Sequence, residues 1–230
     1  MSFSISQIYD YVINIQLIMK QKKALLNFLI IILRSDFSMF KKLKYKKDFS
    51  KMNKCYGNGD FQNAILCADL ILDYDEGNIE VLKCKYNSLT KLELYDDALE
   101  CVNEILDLNP SGRALVNKGT TLCFLGNYDE GFEILDNVIE NCPEYEVAFL
   151  NKGNFLYNMG DFEELLKLSN WVLELYPDCS NAYDIKALVF IERSDFKSAL
   201  ECIDKALEYN PNNENSKERK KFILDILEKN

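Results

Sequence analysis

The sequence of 230 residues contains no histidine, only four prolines and only nine glycines. Without histidine, a Ser-His or Cys-His catalytic pair and every histidine-containing metal site are excluded. The shortage of turn-forming residues disfavours a fold of many short strands, so long helices are expected. With 48% apolar and 28% charged residues, the composition is typical of a folded chain rather than a disordered one.

The charge is unevenly distributed along the chain. Residues 1–54 contain 11 Lys or Arg and three Asp, a formal charge of +8, whereas the rest contains 16 basic and 34 acidic residues, or −18. An acidic body argues against nucleic-acid binding along its length, because such binding needs Lys and Arg facing phosphates. We interpret the lysines within 41–47 as a solvated helix face, the alternative being contact with an anionic membrane or nucleic acid.

The eight cysteines are widely spaced, and no two of them form a C-x-x-C pair. Neither a zinc site nor a thioredoxin-like redox motif is therefore indicated. Scattered thiols of this kind are typical of small buried apolar side chains in a reducing compartment. We therefore expect a cytoplasmic protein that uses no metal and no cofactor.

The prolines reveal a repeat. Pro110, Pro143, Pro177 and Pro211 are separated by 33, 34 and 34 residues, and an aromatic residue lies fifteen positions before each of them. One further aromatic residue lies a period earlier. The aromatic residues are Phe61, Tyr95, Tyr128, Phe162 and Phe196, and the units are 45–78, 79–111, 112–145, 146–179 and 180–213.

Each unit is predicted to form helix, turn and helix. In the unit 112–145, apolar residues recur every three or four positions on both sides of Gly126. The residue two positions before the aromatic suits a left-handed helix end, so Glu93 and Ser194 at this position should be strained by up to about 1 kcal/mol each. The proline closes the second helix because it cannot continue one.

At this point the residues show a resemblance to a known family. Asn117-Lys118-Gly119 and the stretch 125–130, followed by Pro143, resemble the consensus of the tetratricopeptide repeat, and the segment 151–177 resembles it again. The resemblance covers 169 of the 230 residues. It implies an all-α fold, a right-handed superhelical solenoid of tandem antiparallel helix pairs.

The resemblance divides the chain into three parts. Residues 39–213 are expected to form a five-repeat solenoid with a degenerate first unit, and 214–230 a capping helix with Phe222, Ile223, Ile226 and Leu227 inward. The extension 1–38 is expected to form a helix packed on the first unit. Two alternatives stay open: a signal-like segment whose apolar run 24–33 is too short to span a bilayer, or a region that is not translated because Met39 is the initiator.

In the resembled family, the first helix of each unit lines a concave groove. The resemblance therefore implies a peptide-binding groove formed by Lys83, Asn87, Asn117, Thr120, Asn151, Asn154, Tyr157 and Asn158. Asparagine side chains both donate and accept hydrogen bonds, so they can hold an extended peptide backbone, although exposed asparagine is also ordinary helix surface. A sharper alternative is capture of a C-terminal carboxylate, but Val147 and Asn151 stand where two further cations would be needed.

The leading hypothesis is a non-catalytic adaptor that binds a peptide or protein segment in the groove and does not bind nucleic acid. Paired acidic residues, Asp96-Asp97, Asp129-Glu130 and Glu163-Glu164, recur at the start of three second helices, where they fit the helix dipole better than acid/base catalysis. The alternative is a membrane-associated assembly factor anchored by residues 1–38. Neither the partner nor the oligomeric state is indicated.

Overall fold

The computed structural model describes residues 19–20, 22–23, 26, 43–142 and 146–228. These residues form helices joined by short turns, and no strand occurs among them, which confirms the predicted all-α fold. The chain divides into two compact units, Met1–Glu76 and Gly77–Asn230. The boundaries predicted at 39 and 214 stay a prediction.

The first unit contains a helix pair. Helix α1 (residues 43–57) and helix α2 (Phe61–Leu72) bury Met52 and Ile71 completely. Most of the predicted extension 1–38, including its apolar run, lies outside the described residues. Over the part of the chain that the structure describes, no helix has both the length and the apolar character needed to cross a bilayer.

The second unit is a series of antiparallel helix pairs. Its helices are α3 (Ile79–Lys91), α4 (Tyr95–Leu108), α5 (Gly112–Phe124), α6 (Tyr128–Asn141), α7 (Val147–Met159), α8 (Phe162–Leu175), α9 (Ser180–Glu192), α10 (Phe196–Tyr209) and α11 (Glu214–Leu227). Each helix packs on the next one along the chain. We call the odd-numbered helices first helices and the even-numbered ones second helices. This stacking of hairpins is the architecture of a helical solenoid.

The turns within the pairs have the predicted left-handed residue. Gly126 and Gly160 have φ angles of 84° and 73°, and Glu93 and Ser194 have 59° and 58°. The backbone N–H that follows this residue bonds to a carbonyl five positions earlier, as Asn127 does to Leu122 at 2.9 Å. This bond pattern closes the first helix before the chain reverses.

The turn between α3 and α4 lacks two stabilising features that most of the equivalent turns have. Its left-handed residue is Glu93 rather than glycine, and Leu94, at the N-cap of α4, makes no side-chain capping bond. In the last two turns Asp161 and Asp195 cap their helices by accepting a bond from the backbone N–H three residues on. The strained residue and the missing cap each cost about 1 kcal/mol.

Glycine at two positions allows α5 and α6 to approach closely. A Cβ added at Gly119 would lie 2.9 Å from the carbonyl oxygen of Gly131, and one at Gly131 would lie 2.5 Å from Sγ of Cys123. Neither distance is tolerated between non-bonded heavy atoms, so only glycine fits here. The requirement is local to this helix pair, since Tyr86 stands at the position of Gly119 one repeat earlier.

The core of the second unit is continuous from α5 to α9. Phe149 is the largest of its fully buried side chains, and Leu135, Leu165 and Val189 belong to the same cluster. None of the eight cysteines forms a disulfide, and four of them are buried: Cys67, Cys101, Cys123 and Cys202. The thiols therefore act as small apolar side chains in the packing.

One ion pair lies at the edge of this core. Nζ of Lys152 donates to both carboxylate oxygens of Asp136, at 2.6 and 2.8 Å, and lies 5.0 Å from the centre of the Phe132 ring. The Lys152 side chain is 8% exposed and that of Asp136 is 39% exposed. The ammonium group thus depends on the carboxylate, whereas the carboxylate keeps contact with water.

This asymmetry predicts unequal effects of removing each partner. Asp136→Ala leaves a buried ammonium unpaired and should lower the free energy of unfolding by about 2 kcal/mol. Lys152→Met keeps the side-chain volume, and the remaining carboxylate is still hydrated, so the change should stay within about 1 kcal/mol. Urea denaturation of both variants measures the difference. A larger loss for Lys152→Met than for Asp136→Ala would contradict it.

Candidate functional site

The eight predicted groove residues all lie on first helices of the second unit. Lys83 and Asn87 are on α3, Asn117 and Thr120 on α5, and Asn151, Asn154, Tyr157 and Asn158 on α7. Lys83, Asn87, Asn154, Tyr157 and Asn158 are exposed, and the other three are half-buried. The predicted set is therefore accessible in part from solvent and in part involved in packing between neighbouring first helices.

The structure brings two of the predicted residues into direct contact. Nδ2 of Asn151 on α7 donates to Oγ1 of Thr120 on α5 at 2.8 Å. The bond shows that equivalent faces of consecutive first helices are adjacent. It also occupies one of the two amide protons of Asn151, which leaves its carbonyl oxygen and one proton for a ligand.

A second bond continues the same line of contacts. The hydroxyl of Tyr157 on α7 donates to Oε1 of Glu192 on α9 at 2.9 Å. This hydrogen bond, together with partial burial and the negative charge of Glu192, raises the pKa of Tyr157. The phenol therefore stays neutral and holds a carboxylate on the surface of the first helices.

Between α3 and α5 the contact is made below the surface. The hydroxyl of the buried Tyr86 lies 3.2 Å from the carbonyl oxygen of Asn117 and 3.0 Å from Oγ1 of Thr121. Burial is the main reason that the pKa of Tyr86 is raised. The Asn117 main chain is thus fixed from the inside, while Lys83 and Asn87 lie one turn apart on the exposed face of α3.

The two positions where carboxylate capture would need further cations carry no positive charge. Val147 is 42% exposed at the start of α7, and the Asn151 amide is bonded to Thr120. Lys83 is the charged member of the predicted set. The arrangement suits recognition by amide hydrogen bonds better than recognition of an anionic group.

The first helices also carry apolar side chains that the sequence interpretation missed. Asn154 lies one repeat spacing of 34 residues after Thr120, and one and two further spacings lead to Leu188 on α9 and to Phe222 on α11. Phe222 is 54% exposed and Leu227 is 48% exposed, so the prediction that both point inward is wrong, whereas Ile223 is fully buried. The period itself was the signal that could have assigned Phe222 to this face.

Helix α11 is attached to α9 through a buried carboxylate. Asp184 accepts a hydrogen bond from the hydroxyl of Ser216 at 2.7 Å and forms an ion pair with the guanidinium of Arg219. The side chain of Asp184 is 9% exposed and that of Arg219 is 28% exposed. These contacts hold α11, which carries Phe222, against α9.

A separate cavity of about 350 Å³ lies near the starts of α7 and α9. Cys179 lines it and lies 3.1 Å from Oε1 of Glu146. Burial and the bond to this carboxylate raise the pKa of Cys179 to about 12. The thiol stays protonated, so the cavity lacks an activated nucleophile. In the part of the chain that the structure describes, no cluster of three or more potential metal-binding side chains is found.

Stacked helix pairs whose first helices present one joined surface define the class of helical-repeat proteins. The family model of the tetratricopeptide repeat matches residues 180–213, the fifth predicted unit. Its turn, Ser194-Asp195, and its closing Pro211 are features from which the repeat was inferred. The fifth unit therefore matches the tetratricopeptide repeat, and the helix pairs before it have the same helix-turn-helix architecture.

Solved structures show the same fold. A crystal structure of MamA is 21% identical with a TM-score of 0.55, and the match covers 73% of this chain and 92% of that one. MamA from Desulfovibrio magneticus RS-1, residues 41 to the end, is 19% identical with a TM-score of 0.56, covering 74% of this chain and 97% of that one. No curated protein matches the chain significantly. At these identities the likeness concerns the fold.

Proposed function

We propose that the protein is a non-catalytic adaptor that binds an extended peptide or protein segment along the surface of its first helices. The observation that carries the proposal is the pair of hydrogen bonds from Asn151 to Thr120 and from Tyr157 to Glu192. They join α5, α7 and α9 into one surface. Polar groups with free capacity to donate and accept are therefore arranged along it in a line.

The exposed asparagines supply the recognition chemistry. Asn87, Asn154 and Asn158 are exposed, and each can offer both a carbonyl oxygen and an amide N–H to a peptide backbone. An extended segment has unpaired backbone groups that match such side chains without requiring a particular sequence. The groups hold the ligand in place, and none of them is an activated acid, base or nucleophile.

The two ends of the surface favour different parts of a ligand. The half formed by α3, α5 and α7 is rich in amides, whereas Leu188 and the exposed Phe222 supply apolar contacts at the α9–α11 end. The second unit contains 16 basic and 29 acidic residues, a formal charge of −13. A segment with an apolar side chain at one end and little negative charge fits this surface best. A cytoplasmic location, where the thiols stay reduced, completes the proposal.

The proposal can be tested with a peptide that is selected for binding to the protein. Random peptides of about 12 residues displayed on phage can be selected on the full chain, and the affinity of a selected peptide measured by fluorescence anisotropy. Asn87→Ala combined with Asn154→Ala should weaken binding about tenfold, because two hydrogen bonds are lost. The melting temperature should hardly change, since both side chains are exposed.

A matched control is available on the second helices. Asn137→Ala combined with Asn170→Ala removes two exposed asparagines from α6 and α8 and should leave the affinity unaltered. Equal affinity of the Asn87/Asn154 variant and the unmodified chain would remove the groove assignment. The same would follow if both double variants lost affinity to the same extent.

A further inference from the structure

The turn between α3 and α4 combines features that weaken the fold with apolar side chains that point outward. Leu92 is 37% exposed and Leu94 is 45% exposed, on either side of the left-handed Glu93. Four equivalent turns have a glycine or serine followed by an aspartate or asparagine: Gly59-Asp60, Gly126-Asn127, Gly160-Asp161 and Ser194-Asp195. Residues that disfavour the local backbone structure, with no local contact that compensates, occur mainly at functional sites.

An exposed aromatic ring adjoins this turn. Phe124, at the end of α5, is 51% exposed, and its ring stacks on that of Tyr95 with the centroids 4.6 Å apart. It also meets Phe155 edge to face at 5.0 Å. Because first and second helices run antiparallel, the end of α5 and the start of α4 lie at the same side of the unit. We call the surface of Leu92, Leu94, Tyr95 and Phe124 the turn patch.

Exposed carboxylates lie on the helices that adjoin the turn patch. Glu93, Asp96 and Asp97 belong to the turn and the first turn of α4, and all three are exposed. Asp129 and Glu130 occupy the first turn of the neighbouring α6 and are exposed as well. Among the ion pairs of the described residues, none involves any of these five carboxylates.

The rim of the patch is therefore acidic, with Lys91 as the exposed cation beside it in the chain. Acidic residues in the first turn of a helix are stabilised by the helix dipole, and this accounts for their presence at α4 and α6. It does not account for Leu92, Leu94 and Phe124, because exposed apolar side chains gain nothing from the dipole. An apolar centre with a charged rim is the usual composition of a protein interaction surface.

We propose that the turn patch is a second docking surface, which binds a partner segment with apolar side chains on one face and Lys or Arg beside them. The apolar side chains cover Leu92, Leu94 and Phe124, and the cations lie against the unpaired carboxylates of α4 and α6. Charge complementarity selects this occupant over an acidic or a purely apolar one. The patch lies at the turns and not along the row of groove asparagines, so its assignment does not depend on the proposed function.

The structure offers a variant that removes the patch while improving the fold. Leu94→Asp gives α4 the N-cap residue of the equivalent turns, and Leu92→Ser removes the other exposed side chain. The double variant should melt at the same temperature as the unmodified chain or a few degrees higher. A loss of binding then cannot result from unfolding.

The probe is a fluorescein-labelled peptide of about 18 leucines and lysines with the leucines on one helical face, titrated with the full chain. The L92S/L94D variant should bind it about tenfold more weakly than the unmodified chain. Affinity should also fall between about 50 and about 300 mM salt, since the rim contacts are exposed. A matched peptide with glutamate in place of lysine should not bind.

Two control variants show whether the loss of affinity is specific to the turn patch. Leu175→Ser removes a leucine at the end of α8 that is as exposed as Leu92, and it should leave the affinity unchanged. The Asn87/Asn154 variant should also bind the probe normally, which separates this surface from the groove. Equal affinity of the L92S/L94D variant and the unmodified chain, or an equal loss with Leu175→Ser, would overturn the assignment. Binding of the glutamate peptide as tightly as the lysine peptide would overturn the choice of a basic partner.

Discussion

Replacing Gly119 with leucine is expected to unfold the α5–α6 pair together with its neighbours, and alanine should already lower the free energy of unfolding by about 2 kcal/mol. A Cβ at this position would lie 2.9 Å from the carbonyl oxygen of Gly131 and 3.0 Å from Leu135. The backbone of α6 must move to relieve the first contact, at about 3 kcal/mol, and the better helix propensity of alanine returns about 1 kcal/mol. Urea denaturation measures the loss.

Gly153 provides the matched control, because it occupies the same position one repeat later. A Cβ there would meet Cδ1 of Ile185 at 3.3 Å and Cδ1 of Leu165 at 3.5 Å, both at the ends of flexible side chains. Gly153→Ala should therefore change the stability by no more than about 1 kcal/mol, since propensity and crowding nearly cancel. If both glycines tolerated alanine equally well, the close approach of α5 and α6 would not limit the packing.

Asp184→Ala should detach α11 from the second unit. The substitution removes the acceptor of the Ser216 hydroxyl and leaves the Arg219 guanidinium without its partner, at about 3 kcal/mol. Because neighbouring helix pairs stabilise each other locally, the loss should be concentrated at one end. In hydrogen exchange followed by mass spectrometry, amides within Glu214–Leu227 should lose protection while those of α5 and α6 keep it.

A second ion pair on the same helix tests the specificity of this result. Lys220 pairs with Asp204 of α10 at 2.6 Å, but their side chains are 39% and 59% exposed. Exposed pairs contribute little, so Asp204→Ala should cost no more than about 0.5 kcal/mol and leave the exchange pattern unaltered. Loss of protection in α11 to the same degree in both variants would mean that burial of Asp184 does not hold the helix.

The sequence predicted the repeat and its turns because both depend on local chemistry. A position that needs a left-handed backbone favours glycine, so Gly126 and Gly160 were recognised, and Glu93 and Ser194 could be identified as strained replacements from their register alone. Likewise, proline cannot continue a helix, and Pro110, Pro177 and Pro211 each follow the end of a second helix. Such features need no knowledge of which helices are neighbours in space.

The rest of the candidate site depends on contacts between helices far apart in sequence. Apolar spacing in α11 identified a helix with an apolar side, but no helix of the described chain covers Phe222, which is therefore exposed. The Tyr157–Glu192 bond joins residues 35 positions apart, and nothing in the residue types pairs them. The burial of Asp184 was missed for the same reason, since its partners are 32 and 35 residues away.

The buried thiols can report the local opening of individual helix pairs. Burial raises the pKa of Cys67, Cys123 and Cys202, to about 11 for Cys123, so none of them is a thiolate while its helix stays packed. They lie in α2, α5 and α10. Cys67 and Cys123 are no more than 2% exposed and should be alkylated only when their helix pairs open, whereas Cys202 is 9% exposed, lines an open surface pocket and should react faster. The rates at which an alkylating reagent modifies these cysteines would therefore compare how often each helix pair opens, without any label introduced into the chain.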